Sequence, residues 1–170
     1  MNVDITLPDG SVRNYESPVT GYQIAESIGP RLLKDAICVE IDNKFQDLSF
    51  EISENINIRI VTTKDLDALH ILRHSSAHIL AQAVLNLYPN AQFGVGPSIE
   101  NGFYYDFLFE TPIKENELEN IEKEMKRIAK SAQSFIRSEI TKKDAVKIFR
   151  NQKLKLELIE SAESDEGVGE

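Results

Sequence analysis

A tight-turn sequence near the start of the chain, Pro-Asp-Gly-Ser at residues 8–11, constrains the fold more than any other local feature. Proline favours the first central position of a turn, and glycine tolerates the positive φ that most residues avoid. Residues 3–7 alternate apolar and polar side chains, and residues 12–15 can form a return strand. Two short strands joined by a tight turn predict a β-hairpin.

A helix and further strands are predicted after the hairpin. Residues 21–28 form a helical pattern that begins after Thr20, a residue type that favours N-caps. Strand patterns follow at residues 37–41 and 56–61, and the second has isoleucine at every other position. Hairpin, helix and then two or more strands is the order of a β-grasp, or ubiquitin-like, fold. Residues 1–62 are therefore assigned to a small β-grasp domain.

Residues 63–170 are assigned to a second domain of mixed α and β structure. Apolar residues at helical spacing predict one long helix over residues 65–88 and another over residues 115–135. Between them lie a loop with glycine and proline at residues 93–97 and an aromatic-rich, strand-like segment at residues 98–109. The apolar residues that recur at helical spacing along the first long helix are Leu69, Leu72, Ala77, Leu80, Ala83 and Leu87.

The end of the chain carries shorter patterns. Residues 139–141 predict a short strand, and Thr141 is expected to cap a third helix that runs through Phe149. Lys153 and Lys155 alternate with leucine, which predicts that both lie on one face of a strand. The last ten residues are small or acidic and offer no core side chain.

Composition excludes several classes of protein. The 170 residues are 41% hydrophobic, enough for a buried core, so wholesale disorder is excluded. No segment reaches the ~18 apolar residues of a membrane span, and the first residues lack the basic and apolar regions of a secretory signal. The single cysteine, Cys38, cannot form an internal disulfide or a zinc site built on cysteine pairs. These features predict a cytoplasmic protein without a membrane partner.

Charge is distributed unevenly along the chain. The net charge of -9 argues by itself against a nucleic-acid partner. Residues 122–155, however, contain eleven Lys and Arg against four Asp and Glu, a local charge of +7, and residues 157–170 contain six acids and no base. The basic segment is either a solvated helical face or a track for phosphates.

All three histidines of the protein lie four residues apart, at His70, His74 and His78, within the first long helix. Residues four apart share a helical face, so a histidine pair there can bind a metal, act as a general base with a hydrogen-bonding partner, or hold a substrate phosphate or sugar. A catalytic zinc needs a third protein ligand, and the spacing selects none, although Asp106 is possible. A metal-free role is favoured for His74 and His78, and His70 is expected to be an ordinary surface residue.

The loop and the two tyrosines after it are further candidates. The loop at residues 93–97, which includes Gly96, lacks the Lys-Ser/Thr pair of a P-loop. Its glycines therefore allow either a close approach of the backbone to a ligand or a tight turn. Tyr104 and Tyr105 would face opposite sides of a strand. One would then pack inside, and the other could stack on a base or donate a hydrogen bond.

Two long motifs carry a resemblance to a known family. Residues 72–80, Leu-Arg-His-Ser-Ser-Ala-His-Ile-Leu, and residues 96–106, Gly-Pro-Ser-Ile-Glu-Asn-Gly-Phe-Tyr-Tyr-Asp, resemble the N-terminal region of the bacterial threonyl-tRNA synthetases. Residues 5–11, Ile-Thr-Leu-Pro-Asp-Gly-Ser, resemble the start of that family's TGS domain, which is a β-grasp module. Residues 63–170 resemble the N-terminal part of its editing domain, which is shared in part with alanyl-tRNA synthetases. The implied fold class is α+β.

The resemblance implies hydrolysis of serine that has been attached wrongly to threonine tRNA. Serine lacks one methyl group of threonine, and a binding pocket discriminates one methyl by only ~1–3 kcal/mol. A second site that admits serine and excludes threonine would supply the missing discrimination.

The resemblance also assigns roles to individual residues. His74 matches a histidine that positions or activates water or binds the terminal ribose, and His78 matches its supporting partner. Lys155 matches the family's catalytic lysine, although Lys153 is an alternative. The residues expected to bind substrate are Tyr104, Tyr105 and Gly96.

The chain departs from the family at its C-terminal end. It lacks the Asp-x-Cys-Arg-Gly-Pro-His segment that completes the editing pocket, the aminoacylation core and the anticodon-binding domain. A threonine–tRNA ligase fragment is therefore expected, with weak or no editing by itself. Its partner would be the acceptor end of tRNA(Thr), and it would be monomeric although the full enzyme is a homodimer. No cofactor is expected, because ATP, Mg and zinc belong to the missing core.

Two other functions fit the same sequence. One is a non-catalytic RNA- or protein-binding module, since a β-grasp domain carries many unrelated functions. The other is a free-standing metal-dependent aminoacyl-tRNA deacylase.

Overall fold

The computed structural model describes residues 1–136 and 138–161. The chain divides into two compact units, one covering Met1–Ile71 and one beginning at Leu72. Every helix in the described part of the chain is too short or too polar to cross a lipid bilayer. Residues 162–170, which belong to the predicted acidic tail, lie outside the described residues.

The first unit is built on a mixed sheet. Its strands are β1 (Asn2–Thr6), β2 (Val12–Glu16), β3 (Val19–Thr20), β4 (Ala36–Ile41), β5 (Lys44–Gln46), β6 (Glu51–Ile52) and β7 (Ile56–Thr62). Five of them form one sheet in the order β2-β1-β7-β4-β5, in which only β1 and β7 are parallel. The predicted hairpin is confirmed as β1 and β2, and Gly10 takes a positive φ of 80° in its turn. The β-grasp prediction is confirmed.

The helix predicted after the hairpin is confirmed as α1 (Gly21–Ile28). The hydroxyl of Thr20 accepts a hydrogen bond from the Gln23 N–H, and the Gln23 side chain accepts one from the Thr20 N–H. This reciprocal capping box fixes where α1 begins. A second helix, α2 (Pro30–Asp35), was not predicted, because Pro30 reads as a stop signal although it is also favoured at the first position of a helix.

The core of the first unit lies between α1 and the sheet. Ile5, Ile24 and Val39 are fully buried there, and Ile58 joins the same cluster from β7. Burying a side chain of this size stabilises the fold by roughly 1.5–3 kcal/mol. The alternating isoleucines of β7 thus face the core as the sequence predicts.

The opposite face of the sheet holds a smaller cluster and an ion-pair network. Cys38, Val61 and Ala68 are buried together. The Arg59 guanidinium donates to Glu40 (2.5 Å), to Asp65 (2.9 Å) and to Asp67 (3.0 Å). These contacts attach the start of the next helix to the sheet.

Cys38 is expected to react slowly with iodoacetamide at pH 8. Burial is the main cause that raises the pKa of its thiol from 9.0 to about 11. A raised pKa leaves roughly a hundredfold less thiolate at that pH, and the thiolate is the reacting form. Alkylation followed by mass spectrometry should therefore be slow in the native chain and fast in the urea-unfolded chain. Equal rates would contradict the buried position.

The second unit begins within α3 (Leu66–Leu87), the first predicted long helix. Its other described elements are β8 (Gln92–Phe93), β9 (Ser98–Ile99), β10 (Gly102–Phe103), β11 (Phe107–Leu108), a 3₁₀ turn (Glu115–Glu117), α4 (Leu118–Lys130), α5 (Lys142–Ile148) and α6 (Lys153–Ser161). The single strand predicted over residues 98–109 is wrong, since this segment forms three two-residue strands. Two of them, β9 and β10, pair with each other, and β11 pairs with β8.

Three further predictions in this unit are corrected by the structure. The helix predicted over residues 115–135 stops earlier, and Ala132 just beyond α4 has a left-handed φ of 49°. The strand predicted at residues 139–141 is not formed, although Thr141 caps α5 as expected. Lys153 and Lys155 lie on a helix, so residues two apart point in different directions rather than sharing a strand face.

The core of the second unit forms where α3 packs on α4. Its buried side chains are Ala83, Val84, Ala91, Ile121 and Ile128. Not all the apolar residues spaced along α3 are buried: Leu80 packs against this core, whereas Leu69, Leu72 and Leu87 are 52%, 41% and 40% exposed. The alanines of α3 take the buried positions instead.

Candidate functional site

His74 and His78 form a hydrogen-bonded pair on α3. Their Nε2 atoms lie 3.0 Å apart, and the rings meet edge to face with centroids separated by 4.6 Å. The His78 ring also contacts the Phe135 ring at 6.0 Å between centroids. Both histidines are half-buried, whereas His70, one turn earlier on the same helix, is exposed.

The bond between the two Nε2 atoms determines what the pair can do chemically. In a neutral pair one Nε2 carries the hydrogen and the other accepts it, so the first ring has a basic Nδ1 and the second has an Nδ1–H group. The pair as a whole can therefore take up one proton and deliver another.

Arg73 connects the histidine helix to the segment that carries the tyrosines. Its guanidinium donates to the backbone carbonyl of Ile99 (3.1 Å) and to that of Glu100 (2.5 Å). These carbonyls lie where β9 turns into β10, and β10 leads directly into Tyr104. Arg73 thus connects residues 72–80 with residues 96–106, the two motifs that carry the family resemblance.

The two tyrosines differ in their surroundings. Tyr104 is 48% exposed, and Tyr105 is half-buried and stacks on Phe107 with centroids 5.0 Å apart. Burial raises the pKa of the Tyr105 phenol, which keeps its hydroxyl protonated near neutral pH. One tyrosine therefore packs inside while the other offers its ring to a partner.

Gly96 is required by the packing of Tyr105. A Cβ atom added at Gly96 would lie 2.1 Å from Cδ2 of the Tyr105 ring, far inside van der Waals contact. The neighbouring loop is held by two backbone bonds, from Gly94 N–H to the Asp106 carbonyl and from Asp106 N–H to the Val95 carbonyl. The loop does not lead into a helix. The glycine here permits close packing.

Lys155 lies over an aromatic ring. Its Nζ atom is 5.2 Å from the centroid of Phe93, which also contacts the rings of Tyr105 and Phe149. Burial lowers the pKa of the Lys155 ammonium group, which makes it a better proton donor than an exposed lysine. Lys153 is exposed, so the two candidate lysines have different environments.

The predicted site residues therefore fall into two groups. Ring contacts among residues 1–136 and 138–161 join the histidine pair to Phe135, and they join Tyr105 to Phe93 and Phe107. Lys155 belongs to the second group through Phe93. Within the same described residues the structure gathers no group of three His, Cys, Asp or Glu side chains suited to a metal ion.

Several residues around these groups were not identified from the sequence. Phe93, Phe135 and Arg73 contact or connect the candidates, and Gln92 and Gln152 hold α6, which carries Lys155, against β8. Arg73 could have been found, because it stands inside a motif next to His74. The two glutamines carry no sequence signal, since their contacts join positions about sixty residues apart.

Basic side chains are arranged differently on α4 and α5. Lys126 and Arg127 on α4 form ion pairs with Glu122 (2.5 Å) and Glu124 (2.7 Å) in the same helix. On α5, Lys143 and Lys147 lie one turn apart, and Arg150 follows the end of the helix. Within the described residues only Lys147 of these three is ion-paired, to Asp144. Lys143, Lys147 and Arg150 form what we call the α5 basic face.

Comparison with known proteins finds a family match for residues 3–62 and similar proteins along nearly the whole chain. The TGS domain family matches residues 3–62. The chain is 46% identical over 168 residues to "Threonine--tRNA ligase" of Francisella philomiragia, an alignment that covers 98% of the chain and 26% of that protein. It is 46% identical to the ligase of Ralstonia nicotianae (98% and 27% covered) and 48% identical to that of Burkholderia multivorans (96% and 26% covered). The chain spans about a quarter of the length of the curated relatives it matches.

Proposed function

Because this chain is related over nearly its whole length to the N-terminal region of the bacterial threonine–tRNA ligases, we propose that its second unit belongs to an editing domain that hydrolyses seryl-tRNA(Thr). The observation that carries the proposal is the bonded pair of His74 and His78 on a helix that Arg73 attaches to the tyrosine segment. The longer protein would charge tRNA(Thr) with threonine in the cytoplasm, using ATP at a site outside this chain.

The proposed reaction is attack of water on the ester that joins serine to the terminal ribose. The histidine with the basic Nδ1 takes a proton from water, and the hydroxide so formed attacks the ester carbonyl. The ester bond to the ribose oxygen then breaks, and that oxygen takes up a proton delivered by the histidine pair, which returns the pair to its neutral state. A positioned acid–base group contributes about 10²- to 10⁴-fold to such a step.

The remaining candidates have supporting roles in this proposal. The ammonium group of Lys155 stabilises the negative charge that develops on the ester oxygen. The exposed ring of Tyr104 stacks on the terminal base, and Tyr105 with Gly96 shapes the pocket wall. A wall that leaves no room for the threonine methyl accounts for the preference for serine.

A direct test compares serine and threonine esters of the same tRNA. We expect the isolated chain to hydrolyse seryl-tRNA(Thr) slowly or not at all. A chimera, in which the chain replaces the matched N-terminal region of the Francisella philomiragia ligase, should hydrolyse it well above the spontaneous rate. It should leave threonyl-tRNA(Thr) at the spontaneous rate. Equal hydrolysis of both esters, or of neither, would contradict the proposal.

A second candidate, a non-catalytic RNA-binding module, is favoured by the α5 basic face. Phosphate contacts made by Lys and Arg need no histidine pair, and their contribution falls steeply with salt. The two functions are compatible, because an editing site must also hold the acceptor end of tRNA. If substitution of His74 or Tyr104 leaves tRNA binding unchanged, the result favours the RNA-binding module.

Combined replacement of Lys143 and Arg150 by alanine is expected to weaken tRNA binding, because within the described residues these two members of the α5 basic face are not ion-paired, whereas Lys147 is paired with Asp144. Each lost phosphate contact should reduce the slope of log Kd against log salt by about 0.9. The double variant Lys126→Ala/Arg127→Ala is the matched control, because Glu122 and Glu124 already neutralise these two cations. Fluorescence titration at several salt concentrations measures both slopes. An unchanged slope in the Lys143→Ala/Arg150→Ala variant would place the RNA contact elsewhere.

A further inference from the structure

Helix α6 is attached to strand β8 by two glutamine side chains. The Gln152 side chain accepts a hydrogen bond from the Phe93 N–H (3.1 Å) and donates one to the Ala91 carbonyl (3.1 Å). The Gln92 side chain accepts a third bond from the Lys153 N–H (2.6 Å). Residues about sixty positions apart in the chain are thereby held in a fixed register.

These bonds act at the start of α6, close to Lys155. The backbone carbonyl of Gln152 accepts the first bond of the helix, from the Leu156 N–H (3.0 Å). Gln152 therefore fixes both the position and the beginning of α6. The residue whose N–H it holds, Phe93, is also the residue whose ring lies under the Lys155 ammonium group. The Gln152 side chain is therefore connected to the Lys155 ammonium group through a single residue, Phe93.

We propose that Gln92 and Gln152 are positioning residues that hold the Lys155 ammonium group over Phe93. The inference rests on the proposed function for its catalytic meaning, since it is Lys155 that would contact the ester. Neither glutamine needs to touch substrate. Their part is to fix the helical register from which Lys155 projects.

Apolar packing attaches the same helix independently of the glutamines. Leu154 on α6 lies near Gly94, where an added Cβ would come within 3.7 Å of the leucine Cδ1. Removing the glutamine bonds is therefore expected to leave α6 in contact with β8 while its register loosens. An error of about 1 Å in the position of a catalytic group can lower a rate by about 100-fold.

The first measurement is the NMR signal of the Lys155 ε-methylene group in the 170-residue chain. Its position over the Phe93 face should shift this signal upfield of the other lysines, and the Lys155→Met variant identifies it. In the Gln152→Ala variant the signal should move to the position of the other lysines. In the Gln92→Ala variant, which loses one bond instead of two, it should move part of the way.

The matched control is Gln23→Ala, which removes a glutamine bond to a backbone N–H in the first unit. It should leave the Lys155 signal unchanged. A Lys155 signal that keeps its upfield shift in both Gln152→Ala and Gln92→Ala would overturn the inference, whatever the outcome for editing.

The second measurement separates this inference from the proposed function. In the chimera, Gln152→Ala should lower kcat for seryl-tRNA(Thr) hydrolysis by up to about 100-fold, with little change in KM. A moved NMR signal together with an unchanged kcat would support the positioning role and contradict the role of Lys155 in editing. An unmoved signal together with a lowered kcat would overturn the positioning role.

Discussion

Replacing His74 by alanine is expected to lower the rate of seryl-tRNA(Thr) hydrolysis by the chimera by about 10²- to 10⁴-fold, the range lost with a positioned acid–base group. The substitution removes one ring of the bonded pair, so His78 also loses the Nε2 partner that lies 3.0 Å away. Single-turnover hydrolysis of seryl-tRNA(Thr) measures the effect. The loss should appear mainly in the rate constant for hydrolysis of bound seryl-tRNA(Thr) rather than in its binding affinity, because the pair acts on the attacking water.

His70 provides a matched control on the same helix. His70→Ala removes an exposed imidazole one turn before the pair and should leave the hydrolysis rate within a factor of about two, as is usual for a surface substitution. Charging of tRNA with threonine by the chimera should be the same in both variants. An editing rate in His74→Ala that equals the rate in His70→Ala would remove His74 from the mechanism.

The second large effect is expected at Gly96. An alanine there places Cβ 2.1 Å from the Tyr105 ring, and that ring is confined by Phe107 and Phe93. Either the ring or the loop must move, and such overpacking costs about 1–3 kcal/mol. For a unit of about 100 residues this lowers Tm by roughly 4 °C or more. Either movement would change the wall that Tyr105 and Gly96 form in the proposed pocket.

Gly29→Ala is the matched control for this substitution. Gly29 has an extended φ of 162°, and no atom lies within 4 Å of a Cβ built there. Differential scanning calorimetry and near-UV circular dichroism should show a change in Gly96→Ala and almost none in Gly29→Ala. If Gly96→Ala keeps the wild-type Tm and tyrosine signal, the packing described for Tyr105 is wrong.

Local sequence signals were sufficient for the hairpin, α1 and the last strand of the first unit. The turn at residues 8–11, the N-cap at Thr20 and the alternating isoleucines of β7 each act on neighbouring residues, and each predicts its element correctly. Such elements are decided by the conformational preferences of a few adjacent residues. The failure at α2 has the same origin, since proline both ends helices and begins them.

Contacts between distant residues explain the errors in the second unit. The alternation of lysine and leucine before residue 157 predicts a strand, but the Gln92 side chain caps the first turn and a helix forms. Apolar residues recur at helical spacing along α3, yet Ala83 is buried where α3 meets α4 while Leu69, Leu72 and Leu87 are exposed. Neither outcome can be derived from a local pattern, because each depends on which segment packs alongside.

In the candidate site, too, the contact between neighbouring residues was predictable, and the contacts between distant residues were not. The helical spacing of His74 and His78 predicts that they can meet, and in the structure their Nε2 atoms do. The spacing does not show that Arg73 attaches this helix to the tyrosine segment, or that Phe93 lies beneath Lys155. Those contacts form only when the two motifs and α6 are brought together by the fold.

The most direct test of the central claim is an NMR titration with a seryl analogue in which an amide replaces the ester to the terminal adenosine. This probe cannot be hydrolysed, so it tests recognition by the chain without requiring a complete catalytic site. We predict chemical-shift changes at the imidazoles of His74 and His78 and at the ring of Tyr104, with weaker binding of the threonyl analogue. If the imidazole signals of both histidines do not move while either analogue binds, the pair is not part of an editing site.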